Sequence, residues 1–462
     1  MVPNPGHGGD EGAGRSPKAE EIGVRPGPAY LEKGDIFMTL GLPDKFVIGL
    51  DTMAVTTSKS LQGFRDIPPG AHFLWFQQPS GVSRCGYWFI TESQGQMHIK
   101  EWNRYDETMG EPTGQTGASN GRDGMGSIYP TLQPYTLHGQ GHQTPVPGDE
   151  LPPDWAQSPG HLWRALTSAI SIQSLSRITG KQDNQDYLID STDSAKGALP
   201  STNNELNFLF AQDFRDLQVL DLGSAKARVA DTSSRIHAFL TNTNTTTNTP
   251  TNPTPSQTLL AELQFTFLTG THLGNPACLE QWWNLVLKLV LRAHALALSH
   301  PRLAAQLLRA LHAQLFYTEH YFAPAAAAAA ESESESESAL QADDGADRHG
   351  PSGDRPVFEY KPLYWGKLRL ALGEYKARLE GLLAGLGGGV TPEQEAVGGV
   401  FGELEAWLGR RGWELGGRGE LERDGGGEGD GLVDSEDEED EQPVVVELDG
   451  EGREVGLVSF RD

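Results

Sequence analysis

The sequence predicts an α+β multidomain protein: an N-terminal antiparallel β domain, then an all-α domain, with disordered linkers and a disordered tail. Three observations carry that prediction. Between residues 35 and 102, short runs rich in β-branched and aromatic residues alternate with Gly and Pro. Between residues 259 and 408, apolar residues recur at three- and four-residue spacing. Elsewhere, long stretches of Gly, Pro, Thr or acidic residues hold too little apolar surface to offset the entropy of ordering.

Residues 1–29 are Gly/Pro-rich and polar, a composition that predicts disorder. The β domain and its long loop occupy 30–160. Strands are expected at Asp35–Leu40, Phe46–Leu50, His72–Phe76, Gly86–Thr91 and Met97–Trp102, with turn residues at Gly41–Pro43, Pro68–Gly70, Gly81 and Gly95. From Glu107 to about residue 160 periodicity is lost, apart from one strand-like element over Ser127–Tyr135. Residues 161–240 read as a connecting helix and linker region. Leu162, Leu166, Ile170 and Leu175 mark a helix over His161–Ile178, and Leu206–Leu222 suits either a strand or a helix. The Thr/Asn/Pro tract over 241–257 is a low-complexity insertion, expected to be disordered.

The α domain spans 258–415. Val286, Leu289, Val290 and Ala293 repeat at i, i+3, i+4, i+7, and Leu303, Leu307, Leu311 and Leu315 recur every four residues. Two or three packed helices should therefore fill Leu259–Phe322. An insertion over 323–356 joins polyalanine to a Ser/Glu repeat. The stripe resumes at Leu368, Leu372, Tyr375, Leu379 and Leu382, and Phe401, Leu404 and Leu408 extend it. Trp282 and Trp283 fall on a predicted helix, where core or interface packing is expected rather than base stacking.

Residues 416–462 form an acidic tail that ends in a strand-forming segment. Asp434–Glu441 carries seven carboxylates in eight residues. Beyond it, Pro443-Val-Val-Val-Glu-Leu-Asp449-Gly450 joins a β-branched run to an Asp-Gly turn, and Val455–Phe460 offers a partner strand. An isolated hairpin is marginal in water. The strand over Val444, Val445, Val446, Glu447 and Leu448 is thus suited to adding onto the sheet edge of a partner protein.

The formal net charge of −27 opposes the phosphate backbone, so direct nucleic-acid binding is not expected. Cys85 and Cys278 lie far apart without metal-ligand spacing and are expected as reduced thiols. The first residues lack the pattern of a signal peptide, and the strongest apolar stretch, Leu279–Leu298, is interrupted by Lys288 and Arg292; neither secretion nor membrane insertion is expected.

The most enzyme-like string is Leu50-Asp51-Thr52-Met53. An aspartic hydrolase needs two such loops, each with Gly after Asp-Thr; Met53 takes that place and no further loop of the kind occurs. The pairs His138/His142 and His294/His300 lack the pattern of an HExxH site, and Gly425–Gly431 lacks the Lys-Ser/Thr of a phosphate loop. No catalytic residue, metal ligand, cofactor or small-molecule substrate is expected. Ser435, ahead of Glu436, Asp437 and Glu438, and Ser332 and Ser334 in the Ser/Glu repeat fit acidic-directed kinase sites, where an added phosphate would switch a nearby contact.

Leu42-Pro-Asp-Lys-Phe-Val-Ile-Gly-Leu-Asp51 and Phe64-Arg-Asp-Ile-Pro-Pro-Gly-Ala-His-Phe-Leu-Trp75 resemble the N-terminal signature of the AAR-two splicing factors. Leu260-Ala-Glu-Leu-Gln-Phe-Thr-Phe267, the Gly274-Asn275 pair and the helix around Glu280–Leu291 resemble the first helices of that family's C-terminal domain. Trp163-Arg-Ala-Leu-Thr167, Arg410-Arg-Gly-Trp413 and Pro443–Leu448 are weaker matches, and the low-complexity insertions give the chain the character of a fungal-type member. The resemblance implies a β-sandwich-like N-terminal domain, an all-α C-terminal domain and a non-catalytic assembly chaperone of the U5 snRNP found in cytoplasm and nucleus. It implies one partner, the large U5 scaffold protein, pre-mRNA-processing-splicing factor eight. The body would grip the scaffold's RNase H-like domain, and the C-terminal strand would bridge it to the Jab1/MPN domain until phosphorylation releases the clamp. On the residues alone, two other readings stay open: an acidic protein-binding adaptor outside splicing, and a hydrolase built on Asp51.

Overall fold

The architecture comes from a computed structural model, described for residues 29–57, 62–79, 84–92, 95–105, 108–112, 125–135, 155, 159–181, 187–196, 205–210, 231–243, 253–322, 362–415, 446–448 and 454–457. The N-terminal region carries two five-stranded sheets and a helical region follows, as the sequence predicts. In chain order the sheet strands are β1 (Asp35–Leu40), β2 (Val47–Leu50), β3 (Met53–Thr56), β4 (Gly63–Ile67), β5 (Gly70–Gln77), β6 (Arg84–Thr91), β7 (Met97–Asn103), β8 (Thr108–Gly110), β9 (Gln133–Pro134) and β10 (Tyr187–Asp190). The chain folds as two compact units that interleave in sequence, one drawing on residues 1–41, 61–69 and 91–134, the other on 42–60, 70–90 and 135–462.

The first unit holds the sheet β8-β7-β1-β4-β9 and a short helix, α1 (Met125–Ile128). Its core gathers Ile36, Met38, Ile99, Met125 and Leu132. Two pairings, β1–β7 and β4–β9, are parallel, so this sheet is mixed where strand patterning predicts an antiparallel one. Parallel neighbours need a long crossover, and here the chain leaves the unit between β1 and β7 to build strands of the other sheet. Gly63, at φ +139°, lets β4 approach β1; a Cβ there would collide with the carbonyl oxygen of Phe37. The segment read as strand-like, Ser127–Tyr135, is instead the end of α1, a 3₁₀ turn over Tyr129–Thr131 carrying Pro130, and only then β9.

The second unit holds the sheet β10-β6-β5-β2-β3 and the helical region. Its helices are α2 (Pro159–Thr167), α3 (Ile172–Thr179), α4 (Ser233–Thr243), α5 (Pro255–Leu273), α6 (Pro276–Asn284), α7 (Leu296–Ser299), α8 (Pro301–Tyr317), α9 (Pro362–Gly385) and α10 (Pro392–Gly409). Three helices share one start signal: Thr254, Asn275 and Thr391 cap α5, α6 and α10, and Pro follows each cap. One continuous core runs from Phe73 and Trp88 of the sheet through Leu263, Phe267, Leu307 and Leu311 to Leu372 and Leu404.

Several boundaries fall elsewhere than periodicity alone predicts. The helix expected over His161–Ile178 is two, because the side chain of Ser171 caps a fresh start at Ile172. The stripe from Val286 to Ala293 is not α-helical: Leu285–Leu289 widens to a π turn and Val290–Arg292 tightens to 3₁₀. Leu285, Val286, Leu289, Val290 and Leu291 are all buried, so the altered turn serves burial of consecutive apolar residues. The Thr/Asn/Pro tract is helical at both ends, since α4 runs to Thr243 and α5 begins at Pro255. Leu206 belongs to a two-residue strand, β12 (Glu205–Leu206), parallel to β11 (Ser194–Ala195); residues 211–222 and the insertion 323–356 lie outside the described residues.

Candidate functional site

Asp51 occupies the turn between β2 and β3 with φ +56°, a left-handed conformation that Asp tolerates better than most residues. Its side chain is fully buried. One carboxylate oxygen accepts hydrogen bonds from His72 Nδ1 at 2.6 Å and Tyr135 OH at 2.5 Å, and the other accepts from Phe73 N at 2.9 Å. The His72 ring meets Tyr135 edge-on and tilts against Phe89. Burial, with the negative charge of Asp51 behind it, holds the Tyr135 hydroxyl well above the ordinary phenol range. Three donors converge on a carboxylate with no solvent face for a water or substrate, which makes Asp51 a strut tying the β2–β3 turn to β5. The Asp51-hydrolase reading loses its footing here.

Another buried carboxylate, Glu262, escapes sequence reasoning. It lies on α5, a helix buried on nearly every side. It accepts from Arg177 Nη2 at 2.8 Å, Gln281 Nε2 at 2.9 Å and Leu209 N at 2.7 Å, joining α3, α6 and the 205–210 loop to α5. Burial raises its carboxyl pKa, and the Arg177 guanidinium opposes that rise. The one signal in the sequence is a lone acid inside the apolar run Leu259–Leu268.

Asn275 repeats the device. Its Oδ1 accepts from Cys278 N at 2.8 Å while its Nδ2 donates to the carbonyls of Asp190 and Asp193, so one side chain both caps α6 and closes the end of β10. Lys181 Nζ donates to Leu188 O on the same edge strand. His272 closes α5: burial, and then the Arg84 guanidinium, push its pKa down to about 3, while its ring faces Tyr317 OH at 3.1 Å.

Among the described residues no group of three or more His, Cys, Asp or Glu is placed to hold a metal ion, and no helix is long and apolar enough to cross a membrane. Cys85 and Cys278 are free thiols. Trp282 is buried, its Nε1 donating to Gln314 Oε1, whereas Trp283 is half-buried and stacks on Tyr364.

Of the expected partner-binding strand, Val446, Glu447 and Leu448 form β13 (Val446–Leu448), which pairs antiparallel with β14 (Glu454–Leu457). Val446 stands opposite Leu457 and Glu447 opposite Gly456, and a register shift brings Leu448 opposite Glu454. Val444 and Val445 lie outside the described residues, as do Ser332, Ser334 and Ser435.

Residues 33–180 match the family described as the AAR2 N-terminal domain, and residues 225–350 match the AAR2 C-terminal repeat region. Over 110 residues the chain is 29% identical to Protein AAR2 homolog of Caenorhabditis elegans, a stretch that covers 23% of this chain and 30% of that protein. The first family segment contains the Asp51 strut and the other contains Glu262 and Asn275. With both segments in order on one polypeptide, the chain belongs to the AAR2 family, an identity that supports a splicing-related role.

Proposed function

We propose that this protein is a non-catalytic assembly chaperone of the U5 snRNP, binding the large U5 scaffold protein and holding it immature until release. The observation that carries this reading is the ordered pair of AAR2 segments over 33–180 and 225–350. The buried state of Asp51 accords with a protein that works by contact rather than turnover. A two-stranded ribbon leaves one backbone edge on each strand for a partner, so β13 is suited to bridging the scaffold's RNase H-like and Jab1/MPN domains by strand addition. Phosphorylation at Ser332, Ser334 or Ser435 would add negative charge and release the clamp, with assembly in the cytoplasm and release in the nucleus.

The test is a pull-down of the two scaffold domains, together and separately, by the full chain and by a truncation ending before Gln442. Full-length protein holding both domains in one complex, with the bridge lost on truncation, is the expected result. Binding to neither domain overturns the chaperone reading and favours an acidic adaptor, for which the net charge of −27 is the specific observation. Such an adaptor would bind basic proteins with strong salt sensitivity.

A further inference from the structure

We propose that His237 and His300 form a two-imidazole site for a divalent transition-metal cation such as Ni²⁺, Cu²⁺ or Zn²⁺, which staples α4 to the start of α8. His237 Nδ1 lies 3.0 Å from His300 Nε2, and the ring centroids are 5.3 Å apart with planes inclined by 34°. Two imidazole nitrogens bound to one cation at about 2.0–2.1 Å, and separated by about 90–110° around it, stand about 2.9–3.4 Å apart. The pair is therefore already at chelating distance, and imidazole suits these ions.

The backbone that carries each histidine is held by its own element. On α4, Ile236 and Leu240 on either side of His237 are buried in the core, and Asp231 Oδ1 accepts from the N–H and hydroxyl of Ser233 at the helix start. Thr232 Oγ1 donates to Leu289 O at 2.7 Å, which pins the same end of α4 to the π-helical segment. His300 precedes Pro301, whose ring disfavours helical backbone at the residue before it. It sits between α7 and α8 at φ −141° and ψ 61°. With both backbone segments anchored independently, little backbone freedom is lost when the two imidazoles bind a cation.

Burial and the neighbouring His237 both lower the pKa of His300. Asp231 Oδ2 faces His294 Nε2 at 3.9 Å. Binding exchanges one N–H···N hydrogen bond for two nitrogen–metal bonds, and the displaced proton moves to the other nitrogen of its own ring. Water fills the remaining coordination positions, since the described residues offer no cluster of three or more ligating side chains.

Calorimetric titration of the full chain with NiCl₂ and with ZnCl₂ at neutral pH tests the proposal. The chain has 13 histidines, so single variants must identify the site. The expected result is one site weakened about a hundredfold in His237→Ala and in His300→Ala alike, the double variant losing no more than either single one. Zn²⁺ should also slow amide exchange in α4 of the wild type but not of His237→Ala. The pair His237→Gln and His300→Gln, checked for unchanged circular dichroism, separates ligand loss from misfolding. Unchanged titrations in these variants, or dependence on one histidine alone, overturn the site.

Discussion

Asp51 and Glu262 are both wholly buried carboxylates, yet they are built from different materials. Asp51 sits in a turn between two short strands and is met by neutral or titratable donors, the His72 ring, the Tyr135 hydroxyl and one backbone N–H. Glu262 sits mid-helix and is met by a guanidinium, a side-chain amide and one backbone N–H. In the sequence, Asp51 lies in the most enzyme-like string, an Asp-Thr turn that carries Met53 where an aspartic hydrolase needs Gly, whereas Glu262 belongs to no motif. Packing reverses that impression: both are polar struts whose work is to join elements distant in the chain. A buried polar group is tolerated when its hydrogen bonds are all met, and each such group then specifies one arrangement of its neighbours.

Breaking the helical strut should have the larger effect. Glu262→Ala strands the donors of Arg177, Leu209 and Gln281, and unfolding in urea should show a loss of about 3 kcal/mol, the partial exposure of Arg177 trimming the full cost of an unpaired buried charge. Asp51→Asn keeps the volume but sets an amide against donors, and the same measurement should show about 2 kcal/mol, with the proposed scaffold contact unaffected in a pull-down.

Proton binding sharpens the contrast from the helical side. His272 and His312 are pushed down to about 3 and about 4, chiefly by burial. Their ordinary value is about 6.5, so the unfolded chain binds protons that the folded one refuses. Stability should therefore fall as pH drops from about 6.5 toward 4, by up to about 1.4 kcal/mol per pH unit for each ring. Glu262, raised by burial, pulls the opposite way at the acid end. His312→Leu, compared with wild type by urea unfolding across that range, isolates one ring's share; an unchanged slope would contradict its burial as a neutral group. At the surface, Arg302 and Glu393 form an exposed ion pair, and Arg302→Ala should leave the thermal midpoint unmoved.

Much of this molecule could be read from its residues in order. Turn-punctuated β-branched runs located β1, β2, β5, β6 and β7, and leucine spacing located α8, α9 and α10, because strand and helix periodicities depend only on which face is buried. The AAR2 resemblance rested on local strings, Ile67-Pro-Pro-Gly-Ala-His-Phe73 and Gly274-Asn275 among them, and the structure supplies reasons for two of their residues: His72 holds Asp51, and Asn275 both caps a helix and seals a strand. The metal-site candidate was not legible, since His237 and His300 stand 63 positions apart.

What the sequence alone determined was local: most element types, the strongly acidic charge and the family. Tertiary structure decided how strands from residues 35–134 divide between two interleaved units, which carboxylates become struts, and where a helix yields to a π turn. Those outcomes depend on pairings between residues remote in the chain, and the free energy of burying a polar group is set by the partners that the fold brings to it.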